Sequence, residues 1–273
     1  MEKAMENASI NEEEENKAAS QDAASYKPVD DYEKLMQEAL EYCAILKTDT
    51  LPEGWKQVKD KKGVTVWAKP SDKGSALFRY TQKLRCTVQE AADAMDASAR
   101  NEGYKELRGD NIKEFKIIDD ENIKKHAGCM ATYSTYVIFP SLTPSLRESC
   151  ADWSLTNSSK SLGPVKSREF TTFSVVRVND DGSIDRSSIG FDHKDYPPKP
   201  KTIRGRLEAA QHIRKVDDTT TSVTSFFHMD LGGSFPGFIY KSFDGAMVKQ
   251  SVKFRDVLEK NSSLYVDKKK KGK

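Results

Sequence analysis

A long amphipathic helix lies near the end of the sequence, predicted from about residue 236 to residue 260. Its apolar face is built from residues at helical spacing, namely Phe243, Met247, Phe254 and Leu258, with Ile239 beside them. A face this wide needs a large concave partner, and about nine strand-like segments precede it. Because a sheet of that many twisted strands curls, we expect the sheet to wrap around the helix.

The strand patterns form two runs. The first holds two alternating strands, 55–59 and 64–69, which meet at a lysine-glycine turn, and a third strand within 76–87. The second run extends from 112 to 231 and includes the hairpin turn NDDGS and the proline-dense loop DYPPKPKT. Long strand runs with helices at both ends and one between them indicate a single α+β domain with an antiparallel sheet.

The two earlier helices carry capping signals. The first is predicted over about 30–47, with Asp30 or Asp31 as its N-cap. The second separates the strand runs, and Thr87 is its predicted N-cap, with Glu90 completing a capping box.

The small net charge conceals two charged ends. The chain has 44 Lys+Arg and 42 Asp+Glu, a formal charge of +2. Residues 1–30 carry −5, and KKKKGK at 268–273 carries +5, so the body between them is nearly neutral. A neutral body argues against nucleic-acid binding. We predict a disordered acidic tail over 1–28, a folded domain over 29–262 and a basic tail over 263–273.

The distribution of apolar residues argues against an integral membrane protein and against a secreted protein. No apolar run approaches the roughly 18 residues of a membrane-spanning helix, and the first residues lack the apolar core of a secretory signal. The four widely spaced cysteines therefore indicate reduced thiols in an intracellular protein. His126 and Cys129 lie three residues apart, but no second pair completes a zinc site, so we expect no metal.

The residues offer no catalytic motif. The chain lacks a GxSxG elbow, a Walker loop, an HExxH pair and a GxGxxG after a strand. GGSFPG is better explained as a tight turn into the last helix than as an anion site. The four histidines are scattered without nucleophile–base spacing. We predict that the protein is not an enzyme.

Five short sequence blocks follow one another along the chain. They are VKDKKGVTVWAKPS (58–71), SREF (167–170), SIGFDHKDYPP (188–198), TIRG (202–205) and FFHMDLGGSFPGF (226–238). Together they resemble the steroidogenic-acute-regulatory-related lipid-transfer (START) domain over about residues 31–260. VTVW followed by KPS, and the glycine-proline block before the last helix, are most similar to the small soluble sterol-carrier subgroup. The chain departs from the family pattern in a long interval of some 30 residues before SREF, which suggests an extra hairpin or a longer loop at the tunnel mouth.

The resemblance implies a helix-grip fold, in which a curved antiparallel sheet of about nine strands wraps a long C-terminal helix and encloses a lipid tunnel. It implies a cytoplasmic, peripherally membrane-associated monomer, without a cofactor, that carries one sterol-like lipid such as cholesterol between membranes. Alternatives are a phospholipid, ceramide or carotenoid ligand, a lipid-sensing module whose acidic N-terminus recruits a partner, or an enzyme of a related cup-shaped fold.

A lipid tunnel needs an apolar wall and a few polar groups that fix the head of the ligand. The polar candidates lie on two neighbouring strands: Thr172 and Ser174 on one, Arg186, Ser188 and Asp192 on the next. Arg186 and Ser188 are positioned to hydrogen-bond a ligand hydroxyl, and Arg186 requires a carboxylate or the tunnel mouth, because an unpaired buried charge is costly. The wall candidates are Phe226, Met229, Phe238, Phe243 and Met247.

Two segments are predicted to touch an anionic membrane. The loop before SREF corresponds to the family's membrane-contacting loop, with Leu162, Pro164 and Val165 as its contact residues. The basic tail adds Lys268, Lys269, Lys270 and Lys271, each worth roughly 1 kcal/mol at an anionic leaflet.

Overall fold

The computed structural model describes residues 25–48, 51, 53–70, 76–100, 112–136, 167–200, 202–232 and 243–263. Its helices are α1 (Tyr32–Leu46), α2 (Val88–Ala99), α3 (Glu121–Lys124) and α4 (Phe243–Asn261). Its strands are β1 (Lys56–Lys61), β2 (Val64–Pro70), β3 (Ala76–Leu84), β4 (Ile112–Ile118), β5 (Cys129–Tyr136), β6 (Arg168–Val178), β7 (Ile184–Gly190), β8 (Ile203–Arg204), β9 (Arg206–Asp217) and β10 (Thr220–Asp230).

The strands form one sheet in the order β1-β2-β3-β10-β9-β7-β6-β5-β4, with β8 beside β6. The helix-grip fold with an antiparallel sheet of nine to ten strands is therefore confirmed. One pair differs from the prediction, because β8 runs parallel to β6. Gly205 separates β8 from β9, and a Cβ on it would lie 2.4 Å from the Phe170 ring, so only glycine fits at this break.

Helices pack on both faces of the sheet. Helix α1 packs on β6, β7, β9 and β10, whereas α4 packs on β1, β2 and β3. Adjacent residues of β10 show that these are opposite faces: Phe226 belongs to a core cluster with α1, and Phe227 belongs to a cluster with Val248 of α4. We call these two sides the α1 face and the α4 face.

The α1 face is a continuous core. Tyr32 of α1 stacks on Phe173, with ring centroids 6.1 Å apart, and Phe191 meets both rings edge-on. Where the face is polar, its groups are paired: the fully buried Asp185 accepts from Lys47 at 2.9 Å and from Arg177 at 3.1 Å. His212 lies 2.8 Å from the same carboxylate.

Local signals in the sequence are confirmed at helix starts and at one turn. Asp31 caps α1 by accepting from the Lys34 amide, and Thr87 and Glu90 form the predicted capping box of α2. Lys62 and Gly63 both have positive φ in the turn between β1 and β2, the conformation that a two-residue type I′ hairpin requires.

One helix was not predicted, and one predicted boundary differs from the structure. Helix α3 was not predicted, because four residues are too few for a periodic pattern. The predicted tail through residue 28 overlaps the folded body, since the Tyr26 hydroxyl donates to the His193 carbonyl at 2.6 Å and the Lys27 amide donates to Asp192 at 3.2 Å. The expected interval 137–166, the rest of the acidic tail and most of the basic tail lie outside the described residues.

Candidate functional site

The centre of the α4 face is only partly filled. Thr172, Ser174, Arg186 and Ser188 all point to this side, as the strand alternation predicted, because they share it with the α4-facing residues of β9 and β10. Ser174 and Ser188 lie opposite each other, and their hydroxyl oxygens are 2.8 Å apart. Both serines are half-buried, which is unusual at the centre of a ten-stranded sheet.

The same opening continues across the neighbouring strands. Ala209 and Gln211 lie opposite Ser188 and Arg186 on β9, and both are half-buried. On β10, Phe227 and Met229 are also half-buried and face the same side. Small polar residues at the centre with aromatic and thioether side chains beside them are the composition of a lipid-binding surface.

Arg186 is the charged group of this surface. Its side chain is 9% exposed, and its guanidinium lies 3.6 Å from the Asp96 carboxylate of α2, which meets the prediction that it needs a carboxylate. It also donates to the Gln211 side-chain oxygen at 3.4 Å. Burial lowers the pKa of Arg186; Asp96 opposes that shift and Arg100 adds to it.

Tyr80 of β3 was not predicted but belongs to the site. It lies on the α4 face beside Ser225 and packs against the cluster of Val64, Val66, Phe78 and Val248. Desolvation raises the pKa of its hydroxyl, although its side chain is half-buried and not sealed.

Gln82, two residues further along β3, adds a second unpredicted feature. It is 3% exposed, and its side-chain oxygen has no hydrogen-bond partner. The Arg186 Nε is likewise buried without a partner. Buried polar atoms are almost always paired, so these two atoms are exceptions on the α4 face. The alternation of residues along β3 shows which side of the strand Gln82 shares with its neighbours. It does not show that the side-chain oxygen of Gln82 lacks a hydrogen-bond partner.

One end of the α4 face is closed by a tight core. Leu84, Ile184, Ile213 and Val223 of the sheet pack against α2 and against Leu258 of α4. Glu90 ties the two helices together, because it accepts from the Ser262 hydroxyl and the Ser263 amide as well as from Thr87. Partial burial opposes the shift, but these hydrogen bonds lower the pKa of Glu90 to about 2.

Two predicted site residues lie elsewhere. Phe226 faces α1 and stacks on Tyr42, with ring centroids 5.3 Å apart. The prediction paired it with Met229, three residues away, and positions an odd number apart face opposite sides of a strand. Asp192 lies beyond the end of β7, where it accepts from Arg206 at 2.9 Å and fastens the N-terminal segment.

The structure says less about the remaining predicted site residues. Met247 is half-buried on α4, and Phe243 begins that helix. Phe238, the loop residues Leu162, Pro164 and Val165, and the lysines of the basic tail lie outside the described residues.

The opposite side of the sheet holds a cleft of different chemistry. It has a volume of about 600 Å³ and lies between α1 and the ends of β7, β9 and β10. Its lining includes Glu38, Glu41, Glu208 and Asp230. The same lining also contains the basic side chains of Arg206 and His228 and the apolar ones of Tyr42, Ile45 and Ile189, so the cleft is more highly charged than the centre of the α4 face.

Neither a metal cluster nor a membrane span was found within the described ranges. No group of three or more His, Cys, Asp or Glu side chains there is placed to hold a metal ion. None of the described helices is long and apolar enough to cross a bilayer. Cys43, Cys86 and Cys129 are free thiols, and burial raises the pKa of Cys43 to about 12.

Comparison with known proteins identifies what this arrangement resembles. The family model of the START domain matches residues 152–262. StAR-related lipid transfer protein 5 of Mus musculus is 26% identical over 194 residues, which cover 70% of this chain and 78% of that protein. The Homo sapiens protein of the same name is 25% identical over the same shares of both chains.

Solved structures agree at the level of the fold. Human STARD10 superposes with a TM-score of 0.62 at 15% identity, covering 87% of this chain and 83% of that chain. Human StAR-related lipid transfer protein 5 superposes with a TM-score of 0.58 at 20% identity, covering 83% of this chain and 94% of that chain.

Proposed function

We propose that the chain, whose residues 152–262 match the START family model, binds one sterol-like lipid between the α4 face and helix α4 and carries it between membranes. The protein acts as a cytoplasmic monomer that touches membranes peripherally. No covalent chemistry takes place, and specificity comes from the volume of the site and from a few polar contacts.

The observation that carries this proposal is the half-buried strip at the centre of the α4 face. Ser174, Ser188 and Gln211 supply hydrogen-bonding groups there, and Phe227 and Met229 supply apolar surface. On the α1 face of the same strands, Phe173, Ile189 and Ala210 are sealed in the core. A rigid ring system with one polar end would fill the strip while satisfying its polar groups.

The proposed transfer cycle also needs membrane contact. We assign this role to Leu162, Pro164 and Val165 and to the lysines Lys268 to Lys271. An apolar loop inserts into the headgroup region, while the basic tail attracts an anionic leaflet. Each basic residue adds roughly 1 kcal/mol near the surface, which favours reversible docking over permanent anchoring.

The test is stoichiometric binding of a fluorescent sterol by the purified full-length chain, followed by sterol transfer between donor and acceptor vesicles. The variant Ala209→Trp places a large ring in the half-buried strip and is expected to abolish binding. Thr219→Trp, in the exposed turn between β9 and β10, is the matched control and should bind normally. Absence of both binding and transfer in the unmodified protein would refute the sterol assignment.

Phospholipid, ceramide and carotenoid are the alternative ligands of the same fold. Native mass spectrometry of the protein with its co-purified ligand separates these from a sterol by mass. A lipid-sensing role that depends on the acidic tail is a second function. Deletion of residues 1–24 should leave transfer unchanged if the tail serves only to recruit a partner.

A further inference from the structure

Three lysines lie on one side of β1, the edge strand of the sheet. Each lies opposite a β2 residue that packs on the α4 face, in the pairs Lys56–Ala68, Lys59–Val66 and Lys61–Val64. Directly opposite residues of two strands share a face, so all three lysines are on the same side. Strict alternation would place Lys56 and Lys59 on opposite sides, but the register shifts between Gln57 and Lys59. This irregularity aligns the lysines.

The turn after β1 and the neighbouring helix extend this positive surface. Lys62 lies in the turn, and Arg255 of α4 donates to the Lys62 carbonyl. All six residues of β1 are exposed. Arg255 pairs with Asp256 at 3.5 Å, whereas none of the four lysines forms an ion pair with any residue that the structure describes. We call the four lysines and Arg255 the basic edge.

Lysines on an edge strand have an ordinary role, because they discourage pairing with another chain. That role requires charge on the strand but not the alignment of the charges on one side. Like charges that are neighbours on one face repel each other, and the repulsion is relieved when an anion lies among them. The alignment therefore favours an anionic occupant of the basic edge.

The N-terminal tail of the same chain has the complementary charge. Residues 1–24 contain seven acids and two lysines, a net charge of −5, and Glu12–Glu15 are four consecutive glutamates. A tethered segment has an effective concentration on the order of millimolar. This tether favours the tail over an anion that must arrive from solution.

The tail is attached at the end of the sheet from which it can reach the basic edge. Tyr26 is held at His193, just beyond β7. Across the paired strands, Ile189 near the end of β7 is level with the Lys56 end of β1. Five strand spacings of about 4.8 Å separate β7 from β1, a distance of roughly 24 Å. The chain from Glu15 to Tyr26 is 11 residues long and spans up to about 36 Å when extended, so the glutamates reach the basic edge.

We propose that Glu12–Glu15 bind the basic edge of the same chain and cover it until an anionic surface displaces them. This contact goes beyond the proposed function, which assigns membrane contact to a loop and to the C-terminal lysines. It is independent of the lipid that the protein carries. Because each exposed ion pair is weak, the contact opens readily and is sensitive to salt.

Carbodiimide cross-linking of the full-length protein at low salt tests the contact directly, because this reagent joins a carboxylate to an amine only when the two touch. Mass spectrometry should find Glu12–Glu15 joined to Lys59 or Lys61, and the products should disappear in about 0.5 M NaCl, where the Debye length is about 4 Å. A mixture of unlabelled and 15N-labelled protein should give no mixed products. Mixed products would mean that the tail binds a second copy. Cross-links only to other lysines, or none at all, would mean that it lies elsewhere, and each of these results overturns the proposal.

Binding to vesicles of phosphatidylcholine and phosphatidylserine measures the covering. Deletion of residues 1–24 should tighten this binding about tenfold, since each uncovered lysine adds to the attraction. The gain should vanish when three lysines of the basic edge are replaced, and it should persist when three exposed lysines elsewhere are replaced. The substitutions are Lys56→Gln, Lys59→Gln and Lys61→Gln in the first variant and Lys83→Gln, Lys113→Gln and Lys125→Gln in the control.

The two variants separate a specific cover from a general charge effect. Both lose three positive charges from exposed positions, so their net charges are matched. A gain on deletion in the control alone supports the contact, because only the basic edge is then coupled to the tail. An equal gain in both variants would show that the tail repels the membrane through net charge, and the proposal would be wrong. Absence of any gain in the otherwise unmodified protein would also refute it.

Discussion

The two faces of the sheet use the same strands for opposite purposes. Adjacent residues make the contrast plain: Ser187 is buried and donates to the Ala209 carbonyl on the α1 face, while Ser188 is half-buried on the α4 face. Likewise Phe226 is sealed under α1, while the next residue, Phe227, is half-buried. The α1 face is a closely packed core, whereas side chains at the centre of the α4 face remain partly exposed. Substitutions at adjacent positions should therefore separate stability from lipid binding.

The phenylalanine pair should give the largest separation. Phe226→Ala removes a sealed ring that stacks on Tyr42, so the free energy of unfolding should fall by about 3–5 kcal/mol. Phe227→Ala should lower it by only about 1–2 kcal/mol, because part of this ring is already accessible. Urea denaturation measures both values. Equal losses would mean that the α4 face is as tightly packed as the α1 face.

The buried Asp185 tests the polar part of the α1 face. Asp185→Asn leaves His212 and two partly solvated cations without their carboxylate, and we expect a loss of about 2–3 kcal/mol in the free energy of unfolding. Lipid affinity should be unchanged, because Asp185 points away from the site. Thermal unfolding and sterol titration on the same preparation provide the check, and a selective loss of affinity would argue against the assignment of faces.

Glu90 tests how the end of the α4 face is closed. Glu90→Gln weakens the hydrogen bonds that join α2 to α4, and the expected loss of stability is about 1 kcal/mol. Because the folded pKa is lowered to about 2, the contribution of the wild-type carboxylate is complete above its unfolded pKa of about 4.3. It is lost as the pH falls from there toward 2. Urea midpoints at pH 7 and pH 3 should therefore differ less for the variant than for the wild type. Glu38→Gln on the surface of α1 is the control.

The serine pair should give the smallest change in stability and a clear change in binding. Ser188→Ala is expected to alter the free energy of unfolding by less than about 0.5 kcal/mol and to weaken lipid binding about threefold to tenfold. Ser187→Ala should instead cost about 1 kcal/mol through its lost hydrogen bond and leave the affinity unchanged. Reversed effects at these two positions would place the ligand on the α1 face.

Most of the fold could be predicted because it depends on local patterns. Alternation located every strand except β8, which was predicted as part of β9, and the Thr87–Glu90 box fixed the start of α2. The short helix α3 and the break at Gly205 were missed, since the first is too short for periodicity and the second depends on the Phe170 ring. The N-terminal boundary was misplaced because Tyr26 and Lys27 are held by distant residues, His193 and Asp192.

The site could be predicted only as far as alternation extends. Their spacing paired Thr172 with Ser174 and Arg186 with Ser188, and the structure places both pairs on the α4 face. Phe226 lies on the other face, with α1, because two consecutive phenylalanines face opposite sides and the sequence alone leaves the register undecided. Asp96, Gln82 and Tyr80 were missed, because their roles arise from contacts between elements far apart in the chain.

The most direct test of lipid binding on the α4 face is crosslinking with a photoreactive sterol, with the modified residues assigned individually by mass spectrometry. The full-length protein with one equivalent of probe should be labelled at Ser188, Gln211 and Phe227, and excess unlabelled sterol should suppress the labelling. Labelling confined to Ser187, Ala210 and Phe226 or to exposed side chains would contradict the account, because the lipid would then lie outside the space between the sheet and α4.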